Sequence, residues 1–550
     1  MELQPLNYGN KTLPLKSTPS PKITCFRTIR ACSPRQDLKG RTVAVIGLGI
    51  SGKAAARLAL ARGASVVGID QDESLSSLEH DPSFMALNST GFKTVLGNFD
   101  WNLLKDADVV VVSPGVPLEK YGLSYLLQSG KQVMSELDFA AEALPKSVKI
   151  LAVTGTNGKS TTVTFAGQML NHFGIDSFVG GNLGTSLSEA AIQHVTSPAQ
   201  EYKLKVAVVE VSSYQMVIPC VYFRPSVSVV LNLTPDHLER HKTMLDYAEH
   251  KCRLFSHMTN AKLGLLSFGN QHLDEAVKKY WNKFNPAWIG AFPGLEIDTE
   301  AKIATFKVPY IGIESQLQLG SMRAMGKHNY FNAAVAALSV AGLDVGVHIE
   351  DINSTIEKLR PPPHRMQVVH KDIHGVTWVD DSKATNVEAT YAGLMGLKGQ
   401  KSVILLGGLA KVLVGQASNG FEELIEPLTG HRCVITVREM LLLDICKFPI
   451  QNSYFLCFLL LYFYGLFLNW LLHECPKFGA SGTMIHQELS GNGLDIPCIQ
   501  ATNLKDAVEQ ARKMAKHGDA IVLSPACASF DEFRNFEHRG MVFRELALSS

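Results

Sequence analysis

Residues 149–162, KILAVTGTNGKSTT, constrain the fold more than any other stretch of this 550-residue chain. The apolar run Ile150 to Val153 feeds a glycine-rich turn, and Lys159, Ser160 and Thr161 open a helical pattern that ends near Gly174. Strand, loop and helix in that order are the repeating unit of an α/β fold with an anion site built in. Successive backbone N–H groups and a helix N-terminus converge on whatever sits at the turn. Gly155, Thr156, Asn157 and Gly158, continued by Lys159, Ser160 and Thr161, are the candidate ATP-phosphate site. Lys159 supplies a mobile positive charge, and the Ser160 hydroxyl is within reach of a magnesium ion. The loop departs from a strict Walker A, because Val153 stands where the first glycine belongs.

A second strand–turn–helix unit lies earlier. Residues 42–70 hold an apolar strand, Gly47-x-Gly49-x-x-Gly52, a helix rich in Ala and Leu, Gly63, another strand and Asp70. This is the dinucleotide-binding fingerprint, with an acid about 20 residues past the glycines. Physically it specifies a turn that can receive a pyrophosphate, so any nucleotide diphosphate serves as well as NAD. A strand from Ala107 to Val112 then ends in Ser113-Pro114-Gly115. The predicted first domain is a Rossmann-like nucleotide-binding unit, residues 38–147. The leader before it, residues 1–37, has no acid between Glu2 and Asp37, but carries Lys11, Lys16, Lys22, Arg27, Arg30 and Arg35 and lacks an apolar secretory core. That composition fits an organelle transit peptide, of the chloroplast rather than the mitochondrion.

After the phosphate loop, Gly180 to Gly184 enclose Asn182, whose amide can reach a ligand. The strand Lys205 to Val209 delivers Glu210; an acid at a strand end beside a phosphate loop is where a magnesium ligand is expected. The strand Ser226 to Leu231 runs towards His237, which is open between a ligand at the sheet's carboxyl end and a structural histidine. Lys251, on a helix, reads from the residues alone as a solvated charge. Asn329 and Asn332, three apart at the start of an Ala-rich helix, either face one ligand or cap the helix. Alternation over 301–319 predicts one or two antiparallel strands at the sheet edge. Leu359-Arg360-Pro361-Pro362-Pro363 is a stiff linker closing a central ATP-binding domain, residues 148–361. Arg365 follows, where a hinge can swing a cation towards the phosphate loop. Three later strands end in polar or glycine-rich runs, Asp380 to Asn386, Gly407 to Lys411 and Ser524 to Asp531. They describe a third, Rossmann-like domain, residues 362–550. The predicted fold class is α/β, with three domains and a mostly parallel central sheet.

In order and spacing, TGTNGKST, GGNLG, EVSSYQ, LNLTPDHLERH, the Lys251 helix, GKHNYFN, PPPHRMQ, DDSKATN, LLGG and SPACASFDEFRNFEHRG resemble the Mur ligases, most closely their D-glutamate-adding branch. The resemblance spans about residues 38–436 and 478–548. It implies an ATP-dependent ligase that joins D-glutamate to UDP-N-acetylmuramoyl-L-alanine in peptidoglycan precursor synthesis, through an acyl phosphate, releasing ADP and phosphate. The first domain would hold the UDP end of that substrate through Ile50, Ser51, Asp70, Ser113 and Gly115, with Asn182 on the muramoyl-peptide. The family often has Thr-Arg after the acid; here Gln71 and Asp72 follow. Lys159 would meet the β/γ-phosphates. Ser160 and Glu210 would hold one magnesium ion and His237 a second, with Lys251 carbamylated by CO2 into an anion that supports the metal. Asn329, Asn332, Arg365 and Asp381 would hold ATP. Lys383, Thr385, Lys411, Ser529 and Phe536 would face the incoming amino acid and the reacting phosphate. Catalysis is thereby assigned to Lys159, Lys251, His237 and Lys383. Other readings are another Mur- or folylpolyglutamate-type ligase, a nucleotide-binding Mur-like scaffold without activity, and, on the first fingerprint, an NAD(P)-dependent oxidoreductase.

Residues 437–477 do not fit this pattern. Tyr454 to Leu472 is a run of 19 residues without a charge, long enough for a membrane span, yet it interrupts a soluble sheet. The preferred reading is a translated intron or gene-model artefact; the other is a membrane-associating insertion. Elsewhere a net charge of +1 leaves no footprint for nucleic acid or an anionic membrane. The expected partners are therefore the small-molecule substrates, without nucleic acid, and without a membrane unless the 454–472 run is real; the chain is expected to be a monomer. Cysteines without a CxxC pair read as reduced thiols, against a disulfide framework or a structural zinc site.

Overall fold

Three sheets follow one another along the chain, each containing one of the predicted strand–turn–helix units or strand-end runs. The computed structural model describes residues 37–437 and 481–549, apart from 76–77, 79–80, 86, 88–90, 99–100, 183, 198–201, 259–261, 325, 398, 411–419 and 530–531. The leader and the apolar run 454–472 lie outside the described residues. Among those described, no helix is long and apolar enough to cross a membrane.

The first sheet contains Thr42–Ile46 (β1), Ser65–Asp70 (β2), Phe92–Leu96 (β3), Val109–Val112 (β4) and Val133–Ser135 (β5). Its order is β3-β2-β1-β4-β5, all parallel. The reversal of strand order beside β1 opens a crevice at the carboxyl ends, where such sheets bind ligands. The fingerprint turn sits there for a steric reason: a Cβ on Gly52 would lie 1.7 Å from the Gly47 carbonyl oxygen, so the helix Ile50–Ala61 starts against β1 only with glycine. Leu38 is buried, and the buried Arg62 ties back to Asp37 at 2.7 Å.

The second sheet contains Lys149–Thr154 (β6), Ser177–Gly181 (β7), Val206–Glu210 (β8), Val227–Val230 (β9), Leu263–Ser267 (β10), Asn285–Ile289 (β11), Gly294–Asp298 (β12), Ile303–Val308 (β13) and Ile313–Gln318 (β14). The order is β14-β13-β12-β11-β10-β9-β6-β8-β7. It is parallel from β7 to β12; β13 and β14 form the antiparallel edge expected from the alternation over 301–319. The phosphate-loop strand β6 is flanked by β8 and β9, which bring Glu210 and the turn before His237 to either side of the loop.

The third sheet contains Gln367–Lys371 (β15), Thr377–Asp380 (β16), Ser402–Gly407 (β17), Cys433–Val437 (β18), Cys498–Ala501 (β19) and Ala520–Leu523 (β20). Its order is β15-β16-β20-β17-β18-β19, parallel except for the edge strand β15. Sequence reading passed over β15. Strand β18 runs one residue into the range read as foreign, because Val437 pairs with Gly407 and Ala501.

The first two sheets share one of their core clusters. One cluster joins Leu58, Leu137, Phe139 and Ala140 of the first unit to Leu187, Ala190, Val209 and Phe223 of the second. Two buried carboxylates reinforce this seam. Glu136 accepts from the Ser188 backbone N–H and hydroxyl, both at 2.7 Å, at the start of the helix Leu187–Thr196. Asp138 accepts from the N–H groups of Val221, Tyr222 and Phe223. The third unit packs around two clusters of its own. It is joined through 359–366, which holds no helix or strand.

Candidate active site

Strand β6 ends at Thr154, and the loop Gly155 to Gly158 turns the chain into the helix Lys159–His172. Gly158 has φ +85°, and a Cβ there would meet the Asn332 Oδ1 at 2.6 Å, so the turn needs glycine twice over. Asn232, at the end of β9, sets the shape of the loop. Its Oδ1 accepts from the Thr156 and Asn157 N–H groups at 3.0 and 2.9 Å, and its Nδ2 donates to the Asn157 carbonyl at 3.0 Å. Sequence reading missed this residue. Its sign in the sequence is a polar side chain within the LNLTPDH motif, at a strand's carboxyl end, five residues before His237. Lys159 reaches over its own loop, donating to the carbonyls of Gly155 and Thr156 at 2.9 and 2.8 Å.

Glu210, at the tip of β8, is nearly fully buried. It accepts from the Ser160 hydroxyl at 2.7 Å and from the Asn182 amide at 3.1 Å. Burial pushes this carboxyl up, but Lys383, Lys159 and those two donors outweigh it and hold it below the usual range. It is a preformed anion beside the loop, and the Ser160–Glu210 pair offers only oxygen donors, which suits a hard cation such as magnesium.

Lys251 is not solvated. It is 1% exposed, donates to the Gly155 carbonyl at 2.9 Å and lies 4.3 Å from the centroid of the Tyr247 ring. Burial, and then repulsion from Lys159, hold its amine well below the ordinary lysine value. The reading from residues alone is corrected here because its partner lies 96 residues away. His237 has a left-handed backbone (φ 57°), with its Nδ1 2.9 Å from the Tyr214 hydroxyl and its Nε2 3.5 Å from an Asp236 oxygen. Its ring lies 6.4 Å from that of Tyr247, the ring that also contacts Lys251.

Two cavities lie near the loop; the first opens on it, and the second comes closest through Asn182, which bonds Glu210. One, of about 410 Å³, is lined by Asn157, Gly158, Thr161, Asn329, Asn332, Arg365 and Asp381. It thus gathers all four residues expected to hold the rest of ATP, from both the second and third units. Asn329 and Asn332 do not cap their helix, whose N-cap is Lys327. Asp381 accepts from the Met366 N–H at 3.1 Å and the Ser524 hydroxyl at 2.8 Å, and burial raises its carboxyl to about 7. Arg365 faces both Asp381 and Glu210, which oppose the lowering that burial imposes on it.

The other cavity, of about 660 Å³, is lined by Ile50, Ser51, Asp70, Ser113, Gly115 and Asn182, and closed on the far side by Phe536 and Glu537. Every residue expected at the UDP end is there. Asp70 also accepts from the Leu48 N–H at 2.6 Å, which fixes the fingerprint turn. Lys120 and Tyr121 line the same space, and Tyr121 donates to Gln71 at 3.0 Å; neither was picked out in the sequence. Lys383 lies 4.9 Å from the Phe536 ring centroid, and burial brings its amine down to about 8 despite Glu210. Thr385 is half-buried, just before the cap residue Asn386, whose amide comes within 3.5 Å of the Asn157 side chain. Ser529 is buried, and its carbonyl accepts from the Phe533 N–H. Lys411 lies outside the described residues.

Known proteins share sequence and fold with this chain. The Mur ligase middle domain matches residues 153–340, and the MurD-like N-terminal domain of Mur ligases matches residues 41–135. The UDP-N-acetylmuramoylalanine–D-glutamate ligase of Koribacter versatilis is 31% identical, over 93% of this chain and 98% of its own. The enzyme of the same name from Rubrobacter xylanophilus is 32% identical, over 92% and 98%. Among solved structures, MurF ligase from Thermotoga maritima in complex with ADP superposes with a TM-score of 0.53 at 18% identity, covering 93% of this chain and 96% of that one. MurC from the same organism gives 0.51 at 16% identity, covering 92% and 99%. At such identities the structural likeness speaks for the fold alone.

Proposed function

The chain belongs to the Mur ligase family, and from that premise we propose that it joins D-glutamate to UDP-N-acetylmuramoyl-L-alanine, the reaction for which its curated relatives are named. It is an ATP-dependent ligase that forms an amide bond. One observation carries the substrate assignment. The Asn182 amide touches Glu210 beside the phosphate loop and also lines the cavity of the first unit. A nucleotide-linked carboxylate held in that cavity would present its reacting end to the loop, while ATP approaches from the other cavity.

The chemistry follows from the groups present. A carboxylate is a poor electrophile, so phosphoryl transfer turns it into an acyl phosphate, which the amine of D-glutamate attacks with loss of phosphate. Lys159 and Lys383 offset the negative charge that gathers at the transfer point. Arg365 and Asp381 close the nucleotide side and help to keep water from the acyl phosphate. Ser160 and Glu210 fit one magnesium ion, and His237 is assigned to a second; bound magnesium adds charge neutralisation at the phosphates. Lys251 is assigned to carbamylation. Its buried amine with a lowered pKa is a good acceptor for CO2, and the gain of CO2 with loss of a proton gives an anion suited to supporting the metal.

Phosphate release from ATP by the full-length protein, with magnesium, should require UDP-MurNAc-L-Ala and D-glutamate together. Release that is unchanged when D-glutamate is omitted refutes the assignment. The basic leader, with no acid between Glu2 and Asp37, supports residence in the plastid stroma; a fluorescent fusion of residues 1–37 that remains in the cytoplasm refutes that. The assigned state in solution is a monomer, to be checked by light scattering.

A further inference from the structure

We propose that His241, Asp246 and His250 form a binding site for a first-row transition-metal ion, Zn2+ or one of similar preference, on the corner that carries Lys251. His241 ends the short helix Leu238–His241; Asp246 and His250 lie four residues apart on the helix Met244–Cys252. That spacing puts both on one helix face, and the chain reversal at Lys242 and Thr243 brings His241 over it. One ligand atom from each residue lies within 4.8 Å of the other two. The Asp246 carboxylate is 3.9 Å from His241 Nδ1 and 3.2 Å from His250 Nδ1, and the two imidazole rings lie 4.9 Å apart. Ligand atoms of a tetrahedral zinc site, with bonds of about 2.0–2.1 Å, stand roughly 3.4 Å apart. The cluster is close to that spacing without an ion.

The surroundings favour metal over a plain hydrogen-bonded trio. His241 is 2% exposed, and its Nε2 lies 2.9 Å from the Ser213 hydroxyl, a contact that orients the ring from behind as supporting groups do for metal-bound histidines. Burial, with His250 and His237, keeps His241 neutral (about 3), so its lone pair is available. Asp246 is 43% exposed at the mouth, which leaves an entry path and a position for water. Arg240 is turned away to the carbonyls of Pro114 and Val116. In the metal-free form His250 Nδ1 is 2.8 Å from the Asp246 carbonyl; uptake of the ion at that nitrogen displaces this contact, and the ring proton moves to Nε2. Two imidazoles and one carboxylate select zinc, cobalt, nickel or copper over magnesium, so this site is chemically separate from the Ser160–Glu210 pair. It uses no cysteine, which is why cysteine spacing gives no sign of it. An ion here would brace the helix bearing Lys251 against the corner bearing His237.

The test uses full-length protein stripped of metal and then titrated with Co2+ in excess Mg2+, which occupies the oxygen-only site. One equivalent of Co2+ is expected to give the strong visible absorption of a low-coordinate imidazole site. That band should disappear in both His250→Ala and Asp246→Asn and persist in Ser160→Ala. Asp246→Asn keeps the side-chain size, so its loss of the band is not an unfolding effect; far-UV circular dichroism of both variants checks this. Absence of the band in the wild type, its survival in both His250→Ala and Asp246→Asn, or its loss in Ser160→Ala overturns the proposal.

Discussion

Replacing Glu136 with glutamine is expected to stabilise the protein at alkaline pH and to leave it nearly unchanged in mild acid. Glu136 lies in the seam between the first two units, 1% exposed. Its Oε1 takes both donors from Ser188, while its Oε2 has no hydrogen-bond partner among the described residues. Burial is the largest influence on the carboxyl; Ser188 opposes it, Glu189 adds to it, and the result is a rise from 4.5 to about 7. A raised folded-state pKa means that the protonated carboxyl is favoured on folding. Its stabilising contribution is complete below about pH 4.5 and is lost as pH climbs through about 7. The full span is about 2.5 pH units, or roughly 3 kcal/mol at 1.36 kcal/mol per unit, and most of it falls between about pH 5 and pH 9. Glutamine imitates the protonated form at every pH and keeps the acceptor for Ser188. Urea midpoints for wild type and Glu136→Gln, compared at about pH 5 and pH 9, should diverge by about 2–3 kcal/mol in favour of the variant at the higher pH. A difference that stays constant across that range would mean that the carboxylate is not penalised by its burial, and the reasoning fails.

Asn232→Ala removes three hydrogen bonds that shape the phosphate loop, each worth about 1 kcal/mol; KM for ATP should rise by a factor of ten or more, while KM for the UDP-linked substrate, measured in the same assay, stays within about twofold. Gly158→Ala puts a methyl group against Asn332 at a left-handed position and should abolish ATP turnover while costing about 1–3 kcal/mol in thermal or urea unfolding. The Lys383 ammonium is needed as a counter-charge and is lost above about 8, so turnover should fall as pH rises through that value; the permanently charged Lys383→Arg should lack that alkaline limb in a pH–rate profile, whatever its maximal rate. Lys120→Ala should raise KM for the UDP-linked substrate several-fold and leave KM for ATP unchanged, because Lys120 lines that cavity with Gln71, the neighbour of Asp72, which stands where the family often has an arginine. Deletion of residues 438–477 should leave a soluble protein with the same ligase activity; loss of folding in circular dichroism would show that the segment belongs to the fold.

The sequence made the local features readable. The fingerprint turn, the phosphate loop and the acid at the tip of β8 are each written within a few residues, because a strand–turn–helix junction is short and its steric demands fall on glycines. What stayed hidden depends on distant pairs. Lys251 looks solvated until Gly155 is seen above it, and Glu136 looks like an ordinary first-turn helix acid until Ser188 closes over it. Asn232 was legible in principle, since it stands in a motif already quoted, but a neutral amide carries no signature that separates clamping a loop from capping a turn. Edge strand β15 was missed because Gln367–Lys371 is short, half-exposed and bulged at Val368 and His370, so its alternation is broken. Phe536 was expected to face the amino acid; it also closes the cavity lined by Ile50 and Ser51, a juxtaposition that only the packing of the third unit against the first creates.

The core shared by the first two units has a kinetic meaning. Sliding one against the other would expose Leu137, Phe139, Leu187 and Ala190 to water and strip Asp138 of its three N–H donors. The acceptor cavity and the phosphate loop are therefore aligned when the chain folds, before any substrate arrives. The remaining wall is the third unit, which brings Arg365, Asp381, Lys383 and Phe536 and is joined through 359–366, where His364 and Met366 both hold left-handed backbones on either side of Arg365. The nucleotide-linked acceptor can thus bind to a half-site that already exists, whereas the pocket for the incoming amine is complete only once that wall has arrived.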